Sequence, residues 1–557
     1  MSTLKEQINE FYRFIGDIIK IHHLNPDTTE DPFDSVKPLD DQLFSNNYED
    51  NIKIKEMIPL LNKILYKLYS DKGIKRKLVG NVIQLFYDKN HPSYNKDDLL
   101  TQLCRHLVID PRNLRIVSMG ITKAADYESF KETNEFTSLK FEEFPDGTMC
   151  VYTPELSSYQ SQTQSKEVVE PNKTDVEADV EVKLDVEADV EADVEVKLDV
   201  EADVEEERQK PIVKDFKCST RKVLGTGFFN SPNKSFHDMF RENNEKANLD
   251  LEQLPSEYKV NHSLVFNVQH NENRIITPIE KDMGVNALCA VFKFKTNEQA
   301  TTEWDDLVSA LQTDTDTFDV KFKTFMTDMV TQLNLSDFSS SMVEYGIPFN
   351  IIKDITENVL ADHSSYESFE KFINNNPFQY QGVILKSVSG VRTKIHNENY
   401  VMVKELKGSL PIMAEQKNIN NLFKTYWRLR QKQDKSLTKF CQYFGKNVYS
   451  NIFNYFNQRV YGLTNVLHNN YMNAFVNKTM MKSDIPFAFK PMCGDLHKLY
   501  IESRKPVTLS VVITYINNLP VNKIYWRIFG LDTDDTNCAD KTVDKVEENV
   551  EGKVDTQ

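Results

Sequence analysis

Four cations stand in short strand-like runs in the middle of the chain, where they could bind phosphate groups. They are Arg221, Lys386, Arg392 and Lys394. A guanidinium or ammonium group that lines a cleft neutralises nucleotide phosphates or an RNA backbone without any catalytic step. The alternative is that some of them are ordinary exposed strand charges. If they share a cleft, the chemistry they favour is phosphate binding.

Six short segments follow one another between residues 115 and 410. They are Ile121-Thr122-Lys123-Ala124, Phe144-Pro145-Asp146-Gly147-Thr148, Ser219-Thr220-Arg221-Lys222, Phe266-Asn267-Val268 with Asn273-Arg274-Ile275-Ile276, Gln381-Gly382-Val383-Ile384, and Arg392-Thr393-Lys394-Ile395-His396-Asn397. Each is a weak signal alone, because an Asp-Gly pair after an extended run often occurs by chance. Their order is the stronger signal.

In this order the segments resemble the motifs of the RNA ligase family of covalent nucleotidyltransferases. The similarity is greatest to the phage tRNA-repair branch and to ligase-like proteins of large DNA viruses. It implies an α+β fold, in which an antiparallel-sheet, ATP-grasp-like nucleotidyltransferase domain lies between a helical N-terminal region and an all-helical C-terminal domain. It also implies ATP and Mg²⁺ as cofactors and RNA, including tRNA-like RNA, as a partner.

The resemblance assigns roles to individual positions. Lys123 stands where the family has an early phosphate-contacting lysine. The resemblance also implies nine nucleotide- or RNA-binding positions, which include the four cations above. They are Asp146, Gly147, Arg221, Asn267, Gln381, Lys386, Arg392, Lys394 and His396.

Four positions depart from the family pattern. The nucleophilic lysine is replaced by Phe144, the two glutamates by Asn267 and Gln381, and the second lysine of the last motif by His396. A phenyl ring has no lone pair with which to attack a phosphate. Neutral amides still hydrogen-bond a ribose hydroxyl, but they hold a divalent cation far more weakly than carboxylates do. The departures favour a nucleotide cleft that has lost its transfer chemistry.

Two other lysines are candidates for the missing amine. Lys140 would lie roughly 13 Å from Phe144 along a regular strand, which is too far. Lys123 is the better candidate nucleophile, because burial beside other cations would lower its pKa. The competing interpretation is a solvated lysine at a strand end.

Alternation around Asn267 supports a polar pocket. Leu264, Phe266 and Val268 are predicted to face the core, and Asn267 and Gln269 then share the opposite face. Neither the histidines nor the dispersed cysteines have metal-ligand spacing, so we predict no metal site in them.

The net charge of −17 is unevenly distributed. Residues 167–207 contain 18 acidic and 3 basic residues, and residues 531–557 contain 9 and 3, which leaves +4 for the rest of the chain. The remainder is thus mildly basic and compatible with RNA binding. The N-terminus has no long apolar run of the kind found in a signal peptide, and no apolar run in the sequence is long enough to span a bilayer. We therefore expect a soluble cytoplasmic protein, in host cytoplasm or a viral factory if it is viral.

Composition divides the chain into five regions. We predict a helical N-terminal region at 1–104, the ligase-like domain at 105–410, a disordered acidic repeat insertion at 165–210, a helical C-terminal domain at 411–530 and an acidic tail at 531–557. In the C-terminal domain, cations such as Arg428 and Arg430 alternate with aromatic residues such as Tyr426 and Phe453. These aromatic residues are either stacking surfaces for RNA or the core of an amphipathic bundle.

Three functions compete. The first is a ligase-like protein that binds nucleotide or RNA and has doubtful catalytic competence. The second is an active, divergent ATP-dependent RNA ligase that uses Lys123. The third is a non-enzymatic protein that recruits a basic partner through the acidic repeat.

Overall fold

The computed structural model describes residues 3–24, 48–159, 217–221, 223–224, 234–273, 275–277, 279, 284–311, 315–408, 419–432, 435–444 and 446–529. The predicted acidic insertion 165–210 and acidic tail 531–557 lie outside these residues, as do Lys222 and Arg274. The chain divides into two compact units, Met1–Val401 and Met402–Gln557, close to the predicted boundary at 410.

The described residues form eighteen α-helices. They are α1 (Leu4–Leu24), α2 (Tyr48–Lys72), α3 (Leu99–Leu103), α4 (Tyr127–Thr133), α5 (Phe236–Lys246), α6 (Ser256–Lys259), α7 (Asn297–Leu311), α8 (Thr315–Met326), α9 (Leu335–Val343), α10 (Thr356–Asp362), α11 (Tyr366–Asn375), α12 (Glu398–Lys407), α13 (Ile419–Gln431), α14 (Ser436–Phe444), α15 (Lys446–Tyr471), α16 (Lys490–Ser503), α17 (Leu509–Asn517) and α18 (Val521–Phe529). In this part of the chain, no helix is long and apolar enough to cross a bilayer.

Twelve strands are formed within the same residues. They are β1 (Ile74–Val79), β2 (Val82–Tyr87), β3 (Leu107–Ile109), β4 (Ile116–Met119), β5 (Lys140–Glu143), β6 (Thr148–Tyr152), β7 (Cys218–Ser219), β8 (His262–Gln269), β9 (Val285–Phe294), β10 (Val330–Gln332), β11 (Gly382–Lys386) and β12 (Arg392–His396). All their pairings in the three sheets are antiparallel. Together with the helices, they confirm the predicted α+β class.

The first sheet has the order β1-β2-β3-β4 and corrects the prediction of a helical region at 1–104. Helices α1 and α2 are present, but Ile74 to Tyr87 form a hairpin, and Lys75, Arg76 and Lys77 lie in its first strand. The hairpin is stable because Ile74, Ile83 and Leu85 are buried in one core with α1 and α2. Burial on one sheet face thus outweighs the charge of β1.

The second sheet has the order β10-β9-β8-β6-β7 and forms the centre of the first unit. One face packs on a core that includes Phe266, Leu288 and Phe240 of α5. The other face continues the core of α1 and the first sheet through Val151, Val265 and Ala290. The sheet is therefore covered on both faces along most of its length.

The third sheet has the order β12-β11-β5. Phe141, Val383, Leu385 and Ile395 point from it into a core with α4, α10 and α11. Because side chains alternate along a strand, Glu142, Lys386, Arg392, Lys394 and His396 emerge from the opposite face. That face carries most of the charged residues singled out in the sequence.

The second unit is an array of helices, as predicted. Its core contains Phe423, Trp427, Phe456, Leu467, Val512 and Ile524. Residues Met472–Val476 continue α15 as a short π-helix. Most of the aromatic residues weighed as stacking surfaces lie in this core, including Tyr426, Phe440, Tyr449, Phe453 and Phe456. For these residues the RNA-stacking interpretation is wrong, because burial removes their faces from solvent.

Candidate functional site

Residues 144–147 carry the chain from one sheet to another. Strand β5 belongs to the three-stranded sheet and β6 to the five-stranded sheet, so this segment crosses between them. Two amides of β8 hold it: Asn267 Nδ2 donates to the Pro145 carbonyl (3.1 Å) and Gln269 Nε2 to the Asp146 carbonyl (2.9 Å). The predicted alternation is confirmed, since Leu264, Phe266 and Val268 are buried on the other face.

The carboxylate of Asp146 is engaged by three donors inside the protein. Oδ2 accepts from the backbone amides of Ile276 (2.5 Å) and Thr277 (3.1 Å), and Oδ1 accepts from the Tyr400 hydroxyl (2.8 Å). The side chain is buried. Burial and the neighbouring carboxylate raise the pKa of Tyr400, which keeps it a donor. Asp146 therefore anchors the crossing segment instead of facing a ligand.

Position 147 requires a glycine, because the backbone there lies very close to Asn267. A Cβ atom at position 147 would lie 1.9 Å from Asn267 Oδ1 and 2.8 Å from the Val268 carbonyl. No side chain fits in that space. The glycine of the Asp-Gly pair thus allows the crossing segment to lie directly on β8.

Phe144 packs into a cluster of rings and a cation. Its ring centroid is 5.2 Å from that of His396, and Lys394 Nζ lies 5.5 Å from the Phe144 centroid, within the range of a cation–π contact. The His396 ring in turn stacks on Tyr400 with an angle of 6° between the planes. Phe144 is half-buried and Lys394 is exposed. Phe144 is therefore a partly open aromatic surface beside basic groups.

Gln381 lies at the same end of the sheet. Its backbone carbonyl accepts from Asn397 N (2.9 Å), and the next residue, Gly382, pairs with His396 in the β11–β12 ladder. Its side chain is 8% exposed, and its Oε1 atom is buried without a hydrogen-bond partner. The structure thus places Lys394 and His396 against Phe144. It holds Asp146 and Gly147 in the same crossing segment through Asn267, and it places Gln381 next to Gly382, the partner of His396.

A cavity of about 180 Å³ lies farther along the charged face of the three-stranded sheet. Its walls include Lys123, Lys386 and Arg392, and Leu4 and Gln7 of α1 contribute to the lining. Lys386 Nζ pairs with Glu142 at 2.5 Å. Arg392 Nη2 donates to the Thr122 carbonyl at 3.1 Å, and its Nε is buried without a partner.

Burial lowers the pKa of Arg392 from 12.5 to about 10, and the nearby Arg105 adds to this shift. Such a shift arises when a charged group loses water and gains too little compensating charge. In the described part of the chain, no carboxylate forms an ion pair with Arg392. Glu142 nevertheless acts on Arg392 without a direct ion pair, so the protein neutralises the positive charge of the cavity wall only in part.

Lys123 contacts a pair of tyrosines. Its Nζ donates to the Tyr94 hydroxyl (2.9 Å) and to the Lys96 carbonyl (3.4 Å), and it lies 5.8 Å from the Tyr87 ring centroid. Burial, with help from Lys89 and Lys96, lowers the pKa of Lys123. Arg221 stacks on the same Tyr87 ring, with Cζ 4.2 Å from the centroid. The structure thus groups Lys123 with Arg221 around Tyr87 and not with the ring of Phe144.

Two residues of the site are absent from the sequence-based prediction. Glu142 lies in β5, two residues before Phe144, so the alternation of β5 could have placed it on the charged face. Tyr400 lies in α12, and its contact with Asp146 joins residues 254 positions apart. No local pattern could have indicated that contact.

The residues around Phe144 do not fit a divalent cation. Among the described residues, no group of three or more His, Cys, Asp or Glu side chains is close enough to hold a metal ion. Asp146 lies in the same crossing segment as Phe144, and its carboxylate oxygens already accept three hydrogen bonds. Mg²⁺ needs carboxylate or water ligands in near-octahedral geometry, which this arrangement does not offer.

Among solved structures, the chain is similar to one described as "Archaeal ATP-dependent RNA ligase - form 1". The match has a TM-score of 0.29 and 11% sequence identity, and it covers 68% of this chain and 75% of the ligase chain. No protein-family model and no curated protein match the chain. A TM-score this low marks a distant structural neighbour and carries no argument about the site.

Proposed function

We propose that this chain is an RNA ligase-like protein that binds a nucleotide unit, free or within RNA, at Phe144 without transferring it. The observation that carries the proposal is the contact of the Phe144 ring with Lys394 and His396. A half-open aromatic ring gives a base a stacking surface, and adjacent basic groups attract its phosphate.

The same contacts explain why covalent transfer is not expected. The group at position 144 has no amine, and Lys394 Nζ lies over the phenyl ring. Asp146 is engaged by three protein donors, and the two amides Asn267 and Gln381 replace the carboxylates that a metal would need. Binding can persist under these conditions, because stacking and phosphate attraction need no nucleophile.

RNA is a suitable source of the nucleotide unit, because the helical C-terminal region is basic. Residues 446–529 contain ten Lys and Arg and three Asp and Glu, a net charge of +7. Charge of this sign attracts the RNA backbone irrespective of sequence. The RNA ligase motifs of the sequence are consistent with the same partner.

Binding is tested with fluorescently labelled single-stranded RNA, in parallel with ATP and GTP titrations by calorimetry. We expect Phe144→Ala to weaken binding about fivefold to 150-fold, since base–aromatic stacking contributes about 1–3 kcal/mol. Lys394→Gln should also weaken binding, because it removes a positive charge that attracts phosphate. Lys371→Gln and Phe372→Ala, on exposed positions of α11, are the matched controls. Equal affinity of Phe144→Ala and the unmodified chain for all these ligands would refute the proposal.

Catalysis by Lys123 is the second candidate, because burial lowers the pKa of its amine and the side chain lines the cavity. The purified chain is incubated with ATP or GTP and a divalent metal, and its intact mass is measured. An added AMP or GMP that disappears in Lys123→Ala would establish a ligase-type nucleophile. An unchanged mass would end this candidate.

A further inference from the structure

We propose that a surface at the end of α16, here called the α16 patch, is a docking site for the acidic tail of the same chain, residues 531–557. The patch lies within the second unit. It is formed by five side chains: Phe475, Lys482, His497, Tyr500 and Ile501. The proposal does not depend on nucleotide or RNA binding at Phe144.

Side chains of two neighbouring elements meet in the α16 patch. Phe475 belongs to the π-helix after α15, and its ring centroid is 4.5 Å from that of His497 on α16. The His497 and Tyr500 rings stack with their centroids 6.0 Å apart, and Lys482 Nζ lies 4.7 Å from the centroid of the first ring. Ile501 is four residues after His497 and therefore on the same side of α16. The patch combines rings, an aliphatic side chain and a cation.

The end of α16 is exposed on every side. All nine residues from 498 to 506 are exposed. They include a run of three large apolar residues, Leu499, Tyr500 and Ile501, which are exposed by 40%, 39% and 48%. Neighbouring apolar side chains left exposed in this way mark interaction surfaces. In the part of the chain that the structure describes, nothing covers this run.

The chain around the α16 patch is positively charged. Residues 478–505 contain six Lys and Arg and three Asp and Glu, a net charge of +3. Glu502 lies 3.9 Å from Lys498, and Asp495 accepts from the Tyr515 hydroxyl at 2.7 Å. Two of the three carboxylates thus already have partners inside the unit. The surface therefore attracts an acidic segment.

The acidic tail has the complementary composition. It contains nine acidic and three basic residues, a net charge of −6. Four valines recur in it at intervals of three or four positions: Val543, Val546, Val550 and Val554. Apolar residues at this spacing share one side of a helix. The tail can therefore offer valines to the rings of the patch and carboxylates to its cations at the same time.

The tail starts close enough to reach the α16 patch. Arg459 Nη2 donates to the Ile528 carbonyl (2.8 Å), which fixes the end of α18 against α15. From Arg459 to Tyr471, where α15 meets the π-helix of the patch, the helix rises about 18 Å. Val543 is 14 positions beyond Phe529, and an extended chain of that length spans up to about 46 Å. Because the two partners belong to one chain, docking needs only a weak intrinsic affinity.

Binding is tested with a chain that ends at Gly530 and a fluorescently labelled peptide of residues 531–557. The described cores contain no residue beyond Phe529, so the shortened chain retains them. By anisotropy at about 50 mM salt, where charge attraction is least screened, we expect the peptide to bind the shortened chain. It should bind the full chain at least fivefold more weakly, because the tail already occupies the patch. No binding to the shortened chain, or equal affinity for both chains, would overturn the proposal.

Substitutions in the shortened chain locate the binding surface. Lys482→Glu reverses a charge of the patch and Tyr500→Ala removes a ring, and each should weaken peptide binding at least fivefold. Lys523→Glu and Tyr461→Ala make the same changes at exposed positions of α18 and α15, and they should retain the affinity within twofold. An equal loss in the patch variants and in these controls would refute docking at the α16 patch.

A second peptide separates the tail from any other acidic occupant. It has the four valines of the tail replaced by serine and keeps every charge. We expect it to bind the shortened chain at least fivefold more weakly than the natural peptide. Equal affinity would show that the patch attracts acidic segments in general, and the assignment to the tail would fall.

Hydrogen exchange tests docking in the full chain without an added peptide. Backbone amides of residues 497–505 should exchange severalfold faster in the chain that ends at Gly530 than in the full chain, because docking covers the end of α16. Amides of α14, which contributes no residue to the patch, should exchange at the same rate in both. Identical exchange at the end of α16 would show that the tail does not dock there.

Discussion

The Tyr400 hydroxyl donates to Asp146 Oδ1 across 2.8 Å and connects α12 with the segment that crosses between two sheets. The same carboxylate accepts the backbone amides of Ile276 and Thr277. A single aspartate therefore holds three separate stretches of chain beside Phe144. Its role is structural, although its place in an Asp-Gly pair indicated ligand chemistry.

Tyr400→Phe removes one of the three donors and leaves a buried charged oxygen less satisfied. Since hydrogen bonds to charged groups contribute about 1.5–3 kcal/mol, we expect the free energy of unfolding to fall by that amount. Urea denaturation at neutral pH measures it. Tyr345→Phe, at an exposed position, should change the free energy by less than about 0.5 kcal/mol. A similarly small loss in Tyr400→Phe would show that the contact is not significant.

Phe144→Lys introduces an amine at the position where the resemblance to RNA ligases implies one, but it changes nothing else. Asn267 and Gln381 remain neutral, and Lys394 would place a second positive charge beside the new amine. We therefore expect no AMP adduct after incubation with ATP and Mg²⁺, as measured by intact mass. An adduct on this single variant would show that a working metal site has survived, contrary to the geometry of Asp146.

From the buried ring of His106 we predict that the protein loses stability in mild acid. The ring is fully buried, it contacts Gln84 (3.2 Å) and Ser219 (3.1 Å), and burial lowers its pKa from 6.5 to about 4. The unfolded chain thus binds more protons between those values. The stability from neutral His106 is complete above pH 6.5 and is lost as pH falls toward 4.

The expected loss over this interval is about 3 kcal/mol, since one pKa unit corresponds to about 1.4 kcal/mol. Urea unfolding at pH 7 and pH 4.5 measures it. His106→Gln is the comparison, because a glutamine cannot gain this proton and the variant's stability should fall less over the same range. Parallel pH curves for the two proteins would exclude His106 as the cause.

The sequence predicted the elements whose apolar residues alternate clearly. Strand β8 is the best case, because its period of two predicts Asn267 and Gln269 on one face, and both bond to the same crossing segment. The prediction failed at β1, because the three cations Lys75, Arg76 and Lys77 interrupt the apolar alternation that would indicate a strand. The apolar partners of β1 lie on β2 and α2, and only tertiary packing shows that Ile74 and Leu85 share a core.

The sequence predicted which residue types the site contains, but not which of these residues contact one another. Period two along β12 relates Arg392, Lys394 and His396, and the structure confirms that they share a face. Only the three-dimensional fold reveals that Lys394 and His396 meet Phe144 while Arg392 meets Thr122. Likewise, the buried or exposed state of Tyr426 and Phe453 depends on helix packing, which a pattern of cations and rings does not determine.

Deletion of residues 167–207 should tighten RNA binding at low salt. The segment carries a net charge of −15, which repels RNA and competes with it for the same cations. We expect severalfold higher affinity at about 50 mM salt and little difference at about 500 mM, because the Debye length shortens as salt is added. The measurement is fluorescence anisotropy with labelled RNA at both salt concentrations.

The matched control for this deletion replaces the acidic residues of 167–207 with serine and keeps the length. If charge is the cause, the serine variant should bind as tightly as the deletion, whereas a steric effect would appear in the deletion alone. Unchanged or weaker RNA binding in both would contradict the electrostatic picture. Capture of a basic protein by the isolated repeat, with RNA binding absent from the full chain, would instead favour recruitment of a partner as the role of the segment.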